Sequence, residues 1–384
     1  MSTRTEIAHA AADALEATAR RGPGHAFVGF DGFIDTITRL VDTRHGMGPT
    51  DYVPLNTIEA FAARCAAAAG KSTNLERVPL EDRFGGNGPL MASALASMGM
   101  RTTFVGAIGR EDSHHEVHPV FQPFAARCLH ARAVCPPSTT LCLEFDDGKL
   151  MLNETLGVQR VTWGKIIETC GLPWLVDRIG EAKLLGIVNW SLLGGVEGIW
   201  RGLIREVRPR LAAPLPAMFI DLSDPAKRTD SDITAALELV QELSRAGFGV
   251  TLGLNLAEAQ RIDQVIGTRE KGKLERAGAP IALAAAAIRE AIGVACVVIH
   301  PREGAGAATA GASGWFDGPL AKKPRLSTGA GDHFNAGFAF AQVAGLAIDQ
   351  CLGVGCATSG AYVRDAASPS AARVAGLLRN LEEP

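Results

Sequence analysis

Residues 25–32 read His-Ala-Phe-Val-Gly-Phe-Asp-Gly, a short apolar run that ends in a polar turn. The same order recurs further along the chain, at 184–189, 217–221, 250–255 and 295–300. Short apolar runs bounded by turn residues are typical of buried strands. Helical stretches such as 233–245 and 281–292 separate several of these runs. Strands that alternate with helices predict an α/β fold, in which a mainly parallel sheet is covered by helices on both faces.

Ligands of such sheets bind beyond the carboxyl ends of the strands. The residues that close the apolar runs are therefore the first candidates for a functional site. They are Asp31, Asn189, Asp221, Asn255 and His300.

Two segments depart from the α/β pattern. Residues 138–153 alternate between apolar and polar side chains on either side of Asp147-Gly148, which predicts a hairpin. Residues 36–55 also resemble short strands. We expect residues 36–55 and 136–155 to form a small β-lid on an α/β core, and the helix Ile58 to Ala69 to belong to that core. The predicted core comprises residues 1–35, 56–135 and 156–384.

The composition excludes several classes of partner. The net charge is −3, with 47% hydrophobic and 21% charged residues, and there is no basic stripe of the kind that binds nucleic acid. Apolar stretches stay shorter than the roughly 20 residues of a membrane helix, and the N-terminus lacks the apolar segment of a signal peptide. We expect a cytoplasmic enzyme without a membrane or nucleic-acid partner.

The strongest local motif is Ser327-Thr-Gly-Ala-Gly-Asp-His-Phe-Asn-Ala-Gly337, a glycine-rich turn followed by a predicted helix. Glycines allow successive N–H groups to point at one spot, where the helix N-terminus adds positive potential. This arrangement predicts an anion hole. Asp332 lies in the first helical turn, where it is either a catalytic group or a charge that complements the helix dipole.

This motif resembles the C-terminal signature of the ribokinase family, the PfkB carbohydrate kinases, and is one residue shorter between Thr328 and Gly329. The resemblance implies a three-layer αβα ribokinase-like core with a mainly parallel sheet and a small β-strand lid. It also implies ATP-dependent transfer of the γ-phosphate to a hydroxyl, expected to be a CH2OH group, of a small sugar. Asp332 would be the general base, and Gly329, Ala330 and Gly331 would form the anion hole.

Two further segments resemble the same family. Gly85, Gly86 and Asn87 match a turn that meets the sugar hydroxyls, although a helix cap is the structural alternative. Asn255 and Glu258 match an N-x-x-E motif that holds magnesium through water, although a capping box is physically as natural.

The remaining candidates are less specific. Either Asp31 or Asp35 would bind the sugar, with Asn153 and Asn189 as weaker candidates. His300 and Gly304 occupy the place of the family's T-x-G-x-x-G nucleotide loop but depart from its pattern. Together with Asn255 and Thr328, they are assigned to nucleotide binding.

The resemblance implies ATP and Mg²⁺ as cofactors, with K⁺ as a further candidate, and a sugar and a nucleotide as ligands. A homodimer formed through the lid is a further expectation. A nucleoside kinase of the same fold is the nearest alternative function, and a non-catalytic sugar-binding regulator is the second. We expect the lid to close over the sugar and exclude water.

Overall fold

The computed structural model describes residues 3–268 and 277–381. Its strands are β1 His25–Phe30, β2 Phe33–Arg44, β3 Tyr52–Pro54, β4 Arg77–Gly85, β5 Arg101–Gly106, β6 His130–Ala133, β7 Ser138–Phe145, β8 Gly148–Glu154, β9 Leu184–Val188, β10 Ala217–Asp221, β11 Gly249–Leu254, β12 Cys296–Ile299, β13 Gly304–Thr309 and β14 Ser313–Asp317. Its α-helices are α1 Arg4–Arg21, α2 Ile58–Ala67, α3 Asn87–Ser97, α4 Gln122–Ala125, α5 Leu156–Gln159, α6 Trp163–Cys170, α7 Leu172–Gly180, α8 Val196–Gly202, α9 Asp230–Arg245, α10 Leu256–Ile266, α11 Ala279–Ile292, α12 Ala330–Val343, α13 Ile348–Asp365 and α14 Ala371–Arg379.

Nine strands form the main sheet, in the order β14-β13-β12-β11-β10-β9-β1-β5-β6. The seven strands from β12 to β6 pair in parallel, whereas β13 and β14 pair antiparallel at one edge. The predicted α/β fold with a mainly parallel sheet is confirmed.

Helices cover both faces of this sheet. Alternate residues of a strand point to opposite faces, so Phe27 packs in one core, while Ala26 and Val28 pack in the other. Residues of α6 to α11 contribute to the first core, and residues of α1, α3 and α12 to α14 contribute to the second. The three-layer αβα architecture is therefore as expected.

The candidate residues at the strand ends fall on neighbouring strands. Asp31, Asn189, Asp221, Asn255 and His300 lie at the carboxyl ends of β1, β9, β10, β11 and β12, which are adjacent in the sheet. The polar turns that the sequence singled out thus form one continuous edge of the sheet.

A second, five-stranded sheet contains β2, β3, β4, β7 and β8, which we call the small sheet. It is larger than the predicted lid, because β4 pairs with β2 although residues 56–135 were assigned to the core. Pro79 and the charged residues of β4 hid this strand in the sequence. Proline is tolerated there because β4 is an edge strand and a register shift lies beside Pro79.

The helix α2 also departs from the prediction. No residue of α2 is buried, and its apolar side chains Ile58 and Phe61 pack on the small-sheet cluster formed by Leu40, Leu55, Leu143 and Phe145. The alanine-rich helix therefore covers the outer face of the small sheet and does not belong to the main core.

Within residues 3–268 and 277–381, no helix is long and apolar enough to cross a membrane. The cysteines are all free: Cys65 is exposed, Cys128 is half-buried, and the other six are buried.

Because α2 covers the small sheet, Phe61→Ala should loosen that sheet and leave the main sheet intact. The Phe61 and Phe145 ring centroids lie 5.7 Å apart, and loss of this contact should cost at most about 3 kcal/mol. Hydrogen exchange should quicken in β7 and β8 and stay unchanged in β10 and β11. Leu283→Ala, at a position that is 68% exposed on α11, is the matched control. Unchanged exchange in β7 and β8 would contradict this packing.

Candidate active site

The glycine-rich motif forms the N-terminus of α12. Gly329 precedes the helix with φ +87°, and Asp332 lies buried in the first turn. A Cβ at Gly329 would lie 2.9 Å from Leu90 Cδ1 and 3.0 Å from Tyr362 Oη. The conformation and the close packing both require glycine here.

Two stacked rings hold the loop before α12. The Tyr362 hydroxyl donates to Thr328 O at 2.8 Å, and His333 Nδ1 donates to Gly329 O at 2.7 Å. The two ring centroids are 3.6 Å apart. Burial lowers the pKa of His333 to about 4, so the imidazole stays neutral, with its Nε2 2.9 Å from Ser368 Oγ. The rings thus fix the backbone from which the predicted anion hole is built.

One of the three backbone N–H groups expected in the anion hole is already hydrogen-bonded within the protein. Ala330 N donates to Ser327 O at 3.2 Å. The first N–H groups of a helix have no intrahelical acceptor, which leaves Gly331 N as the group best suited to a ligand. Gly331 also lines the large cavity described below.

Asp31 caps the second helix that points at the site. It is fully buried, and its carboxylate accepts the backbone N–H groups of Asn87 at 2.9 Å and Gly88 at 2.7 Å. Asn189 Nδ2 donates a third hydrogen bond at 2.8 Å. Burial raises the pKa of Asp31 to about 6. Gly86, with φ +98°, makes the turn that brings α3 onto this carboxylate.

Asn87 joins the two helix ends. Its Nδ2 donates to Asp332 Oδ1 at 2.8 Å, while its Oδ1 accepts the Ser223 hydroxyl at 3.3 Å, which fixes the orientation of the amide. Burial and the nearby charge of Asp221 hold the pKa of Asp332 well above the ordinary value for aspartate. Asp332 is therefore a carboxyl group with raised proton affinity at a helix N-terminus.

Two more carboxylates face Asp332. Asp221 accepts from Ser223 N at 2.7 Å and from Asn335 Nδ2 at 2.6 Å, and burial raises its pKa. Glu258 accepts from Asn255 N and from Asp224 N, both at 2.8 Å. Burial and the charge of Asp221 also raise the pKa of Glu258.

Asn255 and Glu258 form the capping box that the sequence offered as an alternative, because Asn255 Oδ1 also accepts Glu258 N at 3.0 Å. In the described part of the chain, no three acidic, histidine or cysteine side chains are placed to ligate one ion directly. Clustered carboxylate oxygens nevertheless suit magnesium, which keeps several of its waters. The residues therefore fit a divalent ion that is held through water.

A large cavity of about 940 Å³ lies beside the α12 N-terminus. Five predicted residues line it: Asn255, His300, Gly304, Ala330 and Gly331. The His300 ring packs 4.6 Å from that of Phe334, and burial lowers the pKa of His300 to about 4. The hairpin turn at residues 146–148 closes the opposite side.

A small cavity of about 40 Å³ lies under the small sheet, and its lining includes Asp35, Arg83, Lys149, Thr328 and Tyr362. Arg83, Asp35, Thr140 and Asn153 are successive partners across β4, β2, β7 and β8. Residues paired in register point to the same face of a sheet, so this row is directed toward the small cavity. A Cβ at Gly85 would collide with the Asp35 carboxylate, which explains this glycine.

Several predicted residues lie elsewhere than expected. Thr328, assigned to the nucleotide, lines the small cavity. Asn189 is buried and supports Asp31, whereas Asn153 is exposed on β8. The sequence reasoning missed Lys149, Tyr362, His333 and Arg83. Only the hairpin register, which places Lys149 opposite Glu144, offered a local signal for that lysine.

Comparison with known proteins places this geometry in a family. The sequence profile described as prokaryotic ketohexokinase matches residues 2–381. A ketohexokinase from Haloferax volcanii is 30% identical over 378 residues, which cover 96% of this chain and 95% of that protein.

The fold is shared with solved kinases. Ribokinase from Thermotoga maritima superposes with a TM-score of 0.60 at 15% identity, covering 93% of this chain and 99% of that chain. A nucleoside kinase from Methanocaldococcus jannaschii gives a TM-score of 0.58 at 13% identity, covering 92% and 98%. At such low sequence identities, these two similarities show the fold alone.

The contacts of Asp31 and Asp35 predict different outcomes for the same substitution. Asp31→Asn should turn an amide N–H₂ toward one of three protein donors and cost at least about 1.5 kcal/mol of folding stability. Asp35→Asn should cost less, because Asp35 accepts from the Thr140 side chain and otherwise faces a cavity. Urea unfolding of both variants measures the difference. Equal stability of the two variants would contradict the capping role of Asp31.

Proposed function

Because this chain belongs to the prokaryotic ketohexokinase family and is an ATP-dependent carbohydrate kinase, we propose that it phosphorylates a free ketohexose. The proposal extends to the residues: Asp332 is the general base, the large cavity holds the nucleotide, and the inner face of the small sheet around the small cavity binds the sugar. The observation that carries it is the position of Asp332, a buried carboxyl with a raised pKa at the helix end beside the large cavity. The nucleoside alternative has only fold-level similarity in its favour.

The polar face of the small sheet supports a sugar as acceptor. Asp35 and Thr140 offer oxygen atoms that accept hydroxyl donors, and Asn153 offers both a donor and an acceptor. We propose Asp35 as the carboxylate that binds the sugar, since the three protein donors around Asp31 leave that carboxylate in a structural role. Gly85 and Gly86 leave room for Asp35 and set the entry of α3, and Asn87 orients the base.

The cavity charges favour a neutral sugar over a sugar phosphate. Arg83 pairs with Glu81, and Lys149 Nζ lies 3.3 Å from Glu144 Oε1. Asp35 adds a further negative charge, so a sugar phosphate bound in this cavity would be repelled by Asp35 and would compete with Glu81 and Glu144 for the two cations.

The proposed reaction is an in-line displacement in which positioning and charge stabilisation supply most of the rate. Asp332 accepts the proton of the attacking hydroxyl, expected to be that of a CH2OH group. The α12 N-terminus, chiefly Gly331 N, receives the negative charge of the phosphoryl group. A magnesium ion held through water by Asn255 and Glu258 would supply the charge that offsets the nucleotide phosphates.

Some expectations remain predictions. Nucleotide contacts of His300 and Gly304 are supported by their place in the large cavity. Use of K⁺, a homodimer formed through the small sheet, closure of this sheet over the sugar and a cytoplasmic location likewise stay predictions.

Removal of the charge on Asp332 should separate catalysis from helix capping. If Asp332 is the base, Asp332→Asn should lower kcat by at least ~10²-fold with little change in sugar affinity. Turnover and melting temperature should be measured on the same preparation. Asp349→Asn alters a first-turn acid of α13 and is the matched control. A variant that melts early but turns over at the wild-type rate would contradict catalysis.

The pH dependence of kcat provides a second test of the role of Asp332, in wild type and in Asp332→Asn. The base must be ionised, so wild-type kcat should fall as the pH drops through a pKa that lies above the ordinary aspartate value. Saturating Mg²⁺ should move this limb to lower pH, because a nearby cation favours the carboxylate. The residual turnover of Asp332→Asn should lack the limb.

A metal role for Glu258 predicts that Glu258→Gln raises the Mg²⁺ concentration needed for half-maximal activity by roughly 10-fold or more, with sugar KM unchanged. A coupled assay with titrated Mg²⁺ measures it. Asp232→Asn is the matched control, because Asp232 fills the same capping-box position on α9 but lies on the surface. Lost stability with unchanged Mg²⁺ dependence would show that Glu258 only caps α10, and it would contradict the metal role.

A further inference from the structure

The large and small cavities share a wall formed by two adjacent pairs of residues. In the hairpin, Gly148 lines the large cavity and Lys149 lines the small one. In the loop before α12, Ser327 lines the large cavity and Thr328 lines the small one. The hairpin and this loop therefore meet between the two cavities.

Lys149 makes the contact at that point. Its Nζ donates to Thr328 Oγ1 at 2.9 Å and, at 3.3 Å, to Glu144 Oε1. The side chain is 24% exposed, so its ammonium group is partly withdrawn from water. Thr328 immediately precedes Gly329, and the ammonium therefore lies beside the N-terminal turn of α12.

The region around this wall carries several negative charges, which a fixed cation would offset. Burial raises the pKa of Asp332, and the charges of Asp221, Asp31 and Glu258 raise it further. A transferring phosphoryl group brings further negative charge. Among the described residues that line the two cavities, Arg83, Lys149 and Arg302 are the Lys and Arg side chains, and Lys149 is the one hydrogen-bonded to the α12 loop.

We propose that Lys149 is a catalytic residue whose ammonium group contacts the γ-phosphoryl group in transit, exchanging the Thr328 hydroxyl for a phosphoryl oxygen. This rests on the proposed function. In the step, a bond forms between the sugar hydroxyl oxygen and the γ-phosphorus, and the bond from that phosphorus to the β–γ bridging oxygen breaks. The hydroxyl proton passes to Asp332 and ADP leaves. Lys149 keeps its protons and supplies positive charge.

The position of Lys149 in the hairpin links phosphoryl transfer to sugar binding. Lys149 belongs to the same sheet as Asp35, so the element that binds the sugar also carries the cation for the phosphoryl group. Binding of the sugar and stabilisation of the charge on the transferring phosphoryl group are thereby coupled through one sheet.

The test compares Lys149→Met and Lys149→Arg with wild type. Lys149→Met should lower kcat by ~10² to 10³-fold, as expected for loss of one preorganised charged donor, and Lys149→Arg should recover part of it. The affinity for the sugar without nucleotide should change less than threefold. Lys165→Met, which removes a surface lysine paired with Glu168 on α6, should keep wild-type turnover.

A second measurement separates charge stabilisation from a structural contact. Aluminium fluoride with Mg²⁺ and ADP mimics the phosphoryl group in transit. Lys149→Met should weaken this ternary complex with sugar by about the factor lost in kcat, while Mg²⁺·ADP alone binds as in wild type. Equal weakening of both complexes, or kcat within threefold of wild type, would overturn the proposal. Failure of the proposed function is distinguishable, since wild type would then form no ADP in response to ketohexoses.

Discussion

The hydrogen bond from Asn87 to Asp332 joins the N-termini of α3 and α12, and the remaining polar groups of the site are arranged around it. Each helix end carries positive potential from N–H groups that have no acceptor within the helix. That potential, together with the backbone donors to Asp31, partly offsets the cost of removing carboxylates from water. The pKa values of Asp31 and Asp332 nevertheless stay raised, so burial outweighs the donors. A carboxyl group held in this way keeps its affinity for a proton, which is the property that a base needs.

The two faces of the small sheet differ in character, because one carries apolar side chains and the other carries the polar row that is proposed to bind the sugar. Its outer face carries Leu40, Leu143 and Phe145, covered by Phe61 of α2. Its inner face carries the polar row that contains Asp35. Because side chains alternate along a strand, the apolar contacts outside and the polar groups inside are fixed by one register. A one-residue slip of β2 would exchange the two faces.

Five of the nine strands of the main sheet, β1, β9, β10, β11 and β12, were predicted from the sequence, since each of them ends in a polar turn and the signal is local. The hairpin at residues 138–153 was predicted for the same reason. The strand β4 was missed because Pro79 and its charges conceal a pairing with β2 that depends on residues 37 to 52 positions away. Thr328 lines the small cavity and accepts a hydrogen bond from Lys149, 179 positions away, a contact that no local pattern contains. Its assignment to the nucleotide stays a prediction. The different surroundings of Asp31 and Asp35 depend on the position of α3, which no local pattern contains.

Capping and metal binding by Glu258 are compatible. Each oxygen of Glu258 accepts one backbone N–H, from Asn255 or Asp224, and a carboxylate oxygen has a further lone pair for a water molecule. The capping bonds hold both oxygens in fixed positions, which is what an ion bound through its water shell requires. Burial and Asp221 make the ionised form of Glu258 costly, and a divalent cation between these groups would remove that cost. The capping box would therefore hold Glu258 in place for the proposed water-mediated metal site.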